Sequence, residues 1–284
     1  MKKLREFSYT EKKLTALPPR PERSNKGDFG KVLCVCGSYG MAGASYLAAL
    51  GAYRAGAGLV YIFAPEENRV ILQTLIPEAV LHLYNSETPD TDSLIQTMEN
   101  CDAVVMGCGL GKSPAALSLL KCVLRNSRVP TVIDADALNL IAEHPFLLKY
   151  AKGQIITPHI GEMSRLTGLS VEDILNDTKN TAARFAAEHS LVCVLKDHET
   201  AVSDGTERIY INKSGNSGMS TGGSGDVLAG VIGALCAQKH LGLSNFEAAT
   251  LGVYVHGLAG DRASKRLGEY AVMARDIANN IKIV

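Results

Sequence analysis

A glycine-rich loop that leads into an apolar segment is the stretch of this sequence best suited to bind an anion. Residues 216–226 read Asn-Ser-Gly-Met-Ser-Thr-Gly-Gly-Ser-Gly-Asp, and residues 227–237 are apolar and long enough for a helix. Glycine at Gly222, Gly223 and Gly225 lets the backbone approach a ligand closely. The first turn of a helix has unpaired N–H groups and the positive end of the dipole. The sequence therefore predicts a phosphate site here.

Asp226 ends this loop, and its carboxylate would lie beside the bound anion. One interpretation is that Asp226 only caps the following helix. The three glycines just before it and the apolar helix after it favour a different role. We expect a carboxylate that accepts a proton or handles a metal ion.

Composition excludes several classes of function. Lysine plus arginine number 29, as do aspartate plus glutamate, and aromatic residues are 6% of the chain, which argues against nucleic-acid and membrane-surface binding. No apolar span is long enough for a transmembrane helix, and the first residues lack the apolar core of a secretory signal. The seven cysteines lie mostly inside apolar runs, which indicates reduced core residues of a cytoplasmic protein.

Short apolar runs alternate with helical stretches from Lys31 onwards, which predicts a parallel sheet with helices on both faces. We expect a single α/β domain over residues 1–284, in which residues 1–26 form a short helix and a surface arm. Predicted strands are 32–36, 59–63, 80–84, 103–106, 131–133, 154–156 and 191–195, with a hairpin of 200–203 and 208–212 around Asp204-Gly205. Predicted helices are 41–55, 66–75, 91–99, 115–125, 138–143, 171–189, one from about Gly225, 245–263 and 271–280.

Unusual polar residues and glycines collect where these strands end. Ligands of open parallel sheets bind beyond the carboxyl ends of the strands, so these residues predict the position of the site. They are Gly37, Ser38, the segment 107–111, Asp134, Asp136, Thr157, His159 and the segment 196–200. Two common nucleotide motifs are absent, because residues 107–113 are one residue short of a P-loop and no G-x-G-x-x-G occurs.

The loop at 222–226 resembles the anion hole and catalytic aspartate of ribokinase-like folds. Within that superfamily, the chain is similar to the ADP-dependent (S)-NAD(P)H-hydrate dehydratases from Lys26 to its C-terminus. The segments that carry the resemblance, in order, are 26–32, 37–44, 54–60, 107–111, 134–139, 157–162 and 216–228. Many members of that family have an epimerase domain in front, which we do not expect in this chain.

The resemblance implies a three-layer ribokinase-like fold and a repair reaction. NADH or NADPH hydrated at C6 of the nicotinamide would be phosphorylated on its hydroxyl by ADP or ATP, with Mg²⁺, and phosphate would then leave. Asp226 would be the general base, and the anion hole would consist of Gly222, Gly223, Ser224 and Gly225. A homo-oligomer, often a tetramer, is also implied.

By the same resemblance, Ala44, Gly111, His159 and Asp226 would contact the hydrated dinucleotide. The adenine nucleotide would bind Lys196, Asp197, His198, Glu199, Thr200 and Gly225. Asp197 stands where the family more often has glycine, and Cys108 replaces a common proline. Cys108 has no histidine near it in sequence, so we do not expect a nucleophile.

Several alternatives stay open. His159 could be a loop histidine with purely structural hydrogen bonds, and His256 is expected to be a packed core residue. Asp134 and Asp136 could hold a metal ion through water or could cap the next helix. The chain could instead be a kinase of a small alcohol, or a non-catalytic sensor of adenine nucleotides. The sequence does not distinguish ADP from ATP, or hydrated NADH from hydrated NADPH.

Overall fold

The structure is a computed structural model that describes residues 4–10, 12–15 and 17–283. Part of the arm expected at residues 1–26, namely residues 1–3, Glu11 and Ala16, lies outside the described residues. The strands are β1 (Arg5–Phe7), β2 (Lys31–Val35), β3 (Leu59–Pro65), β4 (Val80–Tyr84), β5 (Ala103–Met106), β6 (Thr131–Ile133), β7 (Ile155–Ile156), β8 (Val192–Leu195), β9 (Ala201–Ser203) and β10 (Arg208–Ile211).

The helices alternate with the strands along most of the chain. They are α1 (Lys12–Thr15), α2 (Ala42–Arg54), α3 (Arg69–Leu75), α4 (Thr91–Glu99), α5 (Pro114–Asn126), α6 (Ala135–Glu143), α7 (Ile160–Thr167), α8 (Val171–Asn176), α9 (Thr178–His189), α10 (Ser224–Ala237), α11 (Asn245–Leu267) and α12 (Ala274–Asn279). Among the described helices, none combines the length and apolar character needed to cross a bilayer.

The described strands form one sheet in the order β1-β10-β9-β8-β7-β6-β5-β2-β3-β4. Every neighbouring pair is parallel except the two pairs that contain β9, which is antiparallel to β8 and to β10. The predicted hairpin of β9 and β10 is confirmed. The carboxyl ends of β2 and β5 to β8 therefore meet at one edge of the sheet.

Side chains alternate between the two faces of the sheet and bury two separate cores. Val32 and Cys34 of β2 pack with α2, α10, α11 and α12, whereas Leu33 and Val35 pack with α4, α5, α6 and α9. Such runs, buried on both faces, are typical of parallel sheets. The expected three-layer α/β fold is confirmed. The seven cysteines are free and six of them are buried.

Helices α2 and α10 pack unusually closely, because glycines bring their backbones together. A Cβ on Gly230 would lie 1.9 Å from the carbonyl oxygen of Ala48, and a Cβ on Gly51 would lie 2.4 Å from that of Val227. Small residues of α2 and α10 thus serve this close contact inside the chain. This packing fixes the start of α10, where Asp226 lies.

The N-terminal arm differs from its prediction, because part of it is a strand. β1 pairs in parallel with β10, and the Phe7 ring meets that of Tyr210 edge-on, with centroids 5.5 Å apart. The partly buried Phe7 packs on the fully buried Tyr210, which explains why the segment joins the sheet and does not lie over the surface. The helix predicted at 171–189 is also divided at Asp177, whose backbone is non-helical (φ −144°, ψ 49°).

Candidate functional site

A buried ion pair joins the ends of β6 and β8 at the carboxyl edge of the sheet. Lys196 Nζ donates to Asp134 Oδ1 over 2.8 Å, and the two side chains are 20% and 2% exposed. The Thr157 hydroxyl, at the end of β7, donates to the same oxygen over 2.7 Å. Burial alone would lower the pKa of Lys196, but Asp134 and Glu162 outweigh it and raise that pKa. Lys196 is therefore a fixed positive charge at this edge.

Asp226 occupies the third position of α10 and does not cap it. The N-cap is Gly223, in the left-handed region (φ 89°), and it makes no side-chain cap bond. A non-glycine residue would be strained there, and a Cβ would lie 2.2 Å from Leu47 Cδ1. The simple capping interpretation of Asp226 is therefore wrong.

The first turn of α10 presents unpaired donors beside Asp226. The N–H of Ser224 donates to the Thr221 carbonyl over 3.3 Å. The N–H groups of Gly225 and Asp226 have no acceptor among the described residues. Lys196 lies on the same side, because a Cβ on Gly225 would be 3.3 Å from its Nζ. Backbone donors, helix dipole and ammonium together suit a phosphate group.

The carboxyl group of Asp226 is poised to exchange a proton near neutral pH. Burial and, next, the negative charge of Asp134 raise its pKa from 3.8 to about 7, against the opposing influence of Cys108 and Lys196. A general base works best when its pKa lies near the operating pH. The arrangement therefore provides a base beside an anion site.

Cys108 lies in the strand-end segment 107–111, and its thiol contacts the two carboxylates of this site, which the sequence did not predict. Its thiol and one carboxylate oxygen each of Asp134 and Asp226 all lie within 4.8 Å of one another. The thiol donates to Asp134 Oδ2 over 3.8 Å. A contact with Cys36, burial and the nearby carboxylates raise the pKa of Cys108 well above its usual value, so it stays protonated. A protonated thiol is a poor nucleophile, since the thiolate is the reactive form.

Side chains of α11 hold the glycine-rich loop in place. Asp261 accepts from the Gly215 N–H over 3.0 Å and from Asn216 Nδ2 over 2.8 Å. His256 is buried and lies 3.5 Å from the Ser224 hydroxyl, and burial lowers its pKa to about 4. His256 is thus a neutral packed residue, as expected, but it packs directly under the site. No sequence pattern singles out Asp261 as a residue of the site, because a polar residue in a long helix is ordinary.

His159 lies at the same edge and has a structural task there. Its Nδ1 accepts from the N–H groups of Gly161 and Glu162 over 3.0 and 3.3 Å, which caps α7. Burial, together with Lys196, lowers the pKa of His159, so the ring is neutral with its proton on Nε2. The side chain is 53% exposed, and Nε2 lies 3.4 Å from Glu162 Oε1. His159 can therefore cap the helix and still face a ligand.

Ala44 and Gly111 form part of the wall near the ends of β2 and β5. Ala44 is buried, and its methyl group would lie 2.7 Å from a Cβ on Gly109. Gly111 is in the left-handed region (φ 74°), and its N–H donates to Asp136 Oδ2 over 2.8 Å. Asp136 thus orders this loop. The small residues leave room for close approach of a ligand.

Within the segment at 196–200, the Lys196 side chain lies beside Asp134 and the start of α10. The next residues form the turn that leads to β9. Asp197 Oδ2 lies 3.4 Å from Nδ1 of His198, whose side chain is 84% exposed. The buried Thr200 hydroxyl donates to the Asp197 carbonyl over 3.3 Å. Glu199 is exposed. The turn lies next to the anion site, but its charged side chains do not join the ion pair of Lys196 and Asp134.

Comparison with known proteins gives a consistent result. The family described as NAD(P)H-hydrate dehydratase matches residues 32–282. The chain is similar to the ADP-dependent (S)-NAD(P)H-hydrate dehydratase of Neisseria meningitidis, with 38% identity over 92% of this chain and 89% of the relative. Other curated relatives are bifunctional NAD(P)H-hydrate repair enzymes, and the chain spans about half their length.

Solved structures agree with these matches. A ribokinase-like superfamily protein from Enterococcus faecalis is 30% identical and superposes with a TM-score of 0.85, covering 97% of this chain and 94% of that one. An ADP/ATP-dependent NAD(P)H-hydrate dehydratase from Bacillus subtilis, co-crystallised with ATP/Mg²⁺, is 26% identical with a TM-score of 0.78, covering 96% and 95%. The three-layer fold described above is therefore ribokinase-like.

Proposed function

Because the chain belongs to the NAD(P)H-hydrate dehydratase family, we propose that it restores NADH or NADPH from the (S)-hydrate and consumes ADP or ATP. The observation that carries this proposal is Asp226, with a pKa of about 7. It lies beside N–H groups that have no acceptor among the described residues. A base and an anion site this close together suit transfer of a phosphoryl group to a hydroxyl.

In the first step, Asp226 takes the proton of the hydroxyl on C6 as that oxygen attacks the β-phosphorus of ADP. A new P–O bond forms, the bond to the α-phosphate breaks, and AMP leaves. The N–H groups of Gly225 and Asp226 and the ammonium of Lys196 would stabilise the negative charge on the transferring group. Gly222 and Gly223 set the path of the loop in the proposed anion hole, and Ser224 joins them to Gly225.

In the second step, the C6–O bond breaks and phosphate leaves with its electron pair, while the neighbouring carbon loses a proton to water. The double bond of the reduced nicotinamide is thereby restored. Hydroxide is a poor leaving group and phosphate is a good one, so the nucleotide makes the dehydration feasible. Ala44, Gly111 and His159 would position the dinucleotide, and the segment 196–200 would position the adenine nucleotide.

Magnesium, if bound with the nucleotide, would neutralise charge on the phosphates. Mg²⁺ usually keeps several waters and uses one or two carboxylates together with substrate phosphates. Asp134 Oδ1 is occupied by Lys196 and Thr157, and Asp136 Oδ2 by the Gly111 N–H. Asp134 Oδ2, which receives only a thiol at 3.8 Å, is one oxygen that could accept from a water on the ion.

We further propose that the chain acts as one catalytic domain in a homo-oligomer, with cytoplasmic substrates. The seven free cysteines support a reducing compartment. Size-exclusion chromatography with light scattering would test the oligomer, for which a tetramer is expected.

Incubation with hydrated NADH plus ADP or ATP tests the activity itself. We expect the absorbance of reduced nicotinamide to return, with release of AMP from ADP and of phosphate. A stable phosphorylated alcohol in place of NADH would favour the small-alcohol kinase. Tight nucleotide binding without any turnover would favour the sensor.

A further inference from the structure

A cavity lies at the opposite edge of the sheet from Asp226. It has a volume of about 770 Å³ and opens between the turn at Pro145–Ala151 and helix α9. These segments precede β7 and β8, whereas the Asp226 site lies where those strands end. The volume falls in the range of small-molecule sites. The residues described above as catalytic or nucleotide-binding do not line it.

The cavity has an apolar lining and an excess of positive charge. Apolar contacts come from Phe146, Leu148, Leu166, Leu169 and Phe185, and Phe146 is 53% exposed. Its cations are Lys149, Lys152 and Arg184, against the single carboxylate of Glu188. An apolar wall with cations on both sides suits an amphipathic anion.

The cations are largely available to a ligand. Lys152 forms no ion pair with any described residue, and Lys149 lies 4.9 Å above the Tyr150 ring. Arg184 Nη2 is 3.8 Å from Asp177 Oδ2, and both side chains are about half exposed. Such a long, exposed contact is weak.

A buried hydroxyl in the same cavity points to the same conclusion. Thr181 lines the cavity and is 3% exposed, and its Oγ1 is the one buried side-chain oxygen or nitrogen without a hydrogen-bond partner among the described residues. Thr181 precedes Arg184 by three residues on α9, so both side chains lie on one side of the helix. A buried polar group normally has a partner, and a ligand could supply it.

We propose that this cavity binds a small amphipathic carboxylate. The apolar body packs on Phe146 and Phe185, the carboxylate lies between Arg184 and Lys152, and Thr181 donates a hydrogen bond to it. This proposal is independent of the repair reaction, because the cavity and the Asp226 site share no residue.

Calorimetric titration of the full chain with octanoate, and with 1-octanol as the neutral match, tests the proposal. We expect saturable octanoate binding that is about tenfold tighter than octanol binding. The double variant Lys152→Gln/Arg184→Gln should lose about tenfold in octanoate affinity, and Thr181→Val should weaken it as well. Lys265→Gln, an exposed lysine on α11 at the other face of the sheet, should leave it unchanged.

Thr181→Val also provides a readout on the empty protein. Because it removes an unpartnered buried hydroxyl without changing the side-chain shape, its Tm should rise. Octanol binding as tight as octanoate, octanoate affinity unchanged in the double variant, or no octanoate binding by the folded wild type would each overturn the proposal.

Discussion

Lys196 and Asp134 form a buried ion pair, with Nζ 2.8 Å from Oδ1, at the edge of the sheet where Asp226 also lies. The pair places one ammonium next to the anion site and one carboxylate next to the base. Both partners shape the pKa of Asp226, Asp134 by raising it and Lys196 by lowering it. The ion pair therefore affects both the stability of the fold and the pKa of the proposed base.

Lys196→Met should destabilise the fold by about 3–5 kcal/mol, because it leaves the charge of Asp134 buried and unpaired. Adding Asp134→Asn should recover much of that loss, since the orphaned charge is then removed. Urea unfolding of the single and double variants measures both values. The control is Lys112→Met, whose pair with Glu143 is as short, at 2.6 Å, but about half exposed, so it should cost at most about 1 kcal/mol. Equal losses at the two lysines would contradict this account.

Turnover should rise with pH through about 7, because the base must be deprotonated and the pKa of Asp226 is about 7. Below that value, kcat/KM for the hydrate should fall about tenfold per pH unit. Cys108 lowers the pKa of Asp226, so Cys108→Ala should move this limb to higher pH. Cys236→Ala should not move this limb, because Cys236 lies near the far end of α10, the helix that begins beside Asp226. A pH profile identical in wild type and Cys108→Ala would show that the thiol has no such influence.

Asp226→Asn should stabilise the protein above neutral pH. The pKa of Asp226 is raised from 3.8 to about 7 on folding, so the native state holds a proton that the unfolded state has lost. Wild-type stability therefore falls as pH rises from about 4 to about 7, by a few kcal/mol in all. Unfolding at pH values near 4 and near 8 should show a gain for Asp226→Asn only at the higher value. Asp92→Asn, an exposed aspartate in the first turn of α4, should show no such gain.

Gly230→Ala should destabilise the fold and lower activity together. Its Cβ would lie 1.9 Å from the Ala48 carbonyl oxygen, so α10 must move away from α2 and carry Asp226 with it. Gly43→Ala in α2 is the matched control, because a Cβ there meets nothing within 4 Å, and it should be neutral or stabilising by up to about 1 kcal/mol. Thermal unfolding followed by circular dichroism measures the stability of both variants, and turnover rates measure their activity. Normal stability in Gly230→Ala would be inconsistent with the close packing.

Most strands and helices could be predicted from the sequence, because parallel strands buried on both faces are short continuous apolar runs between turn residues. The bounds of β4, β5, β6 and α4 agree with their predictions. Helix α7 was missed because a capping box of His159 and Glu162 fixes its start. Histidine is not among the usual N-cap residues, so the sequence does not show that a helix begins there. Strand β1 was missed because its partner, β10, lies some 200 residues away.

Within the site, the segments at strand ends indicated the correct edge of the sheet, and Asp226, Gly225 and Lys196 are together there. The contact of Cys108 with Asp134 and Asp226 depends on the adjacency of β5 and β6 and on the position of α10. No local pattern encodes that adjacency. The pKa of Asp226 was likewise not predictable, because burial and a neighbour 92 residues earlier determine it.

The rate of NADH recovery from its (S)-hydrate with ADP, in wild type and in Asp226→Asn, tests the central claim most directly. The wild type should restore one NADH for each AMP released. Asp226→Asn should bind ADP with unchanged affinity and lose about 10²–10⁴-fold in turnover. Recovery by Asp226→Asn at the wild-type rate, or no recovery by the wild type with either ADP or ATP, would contradict the account.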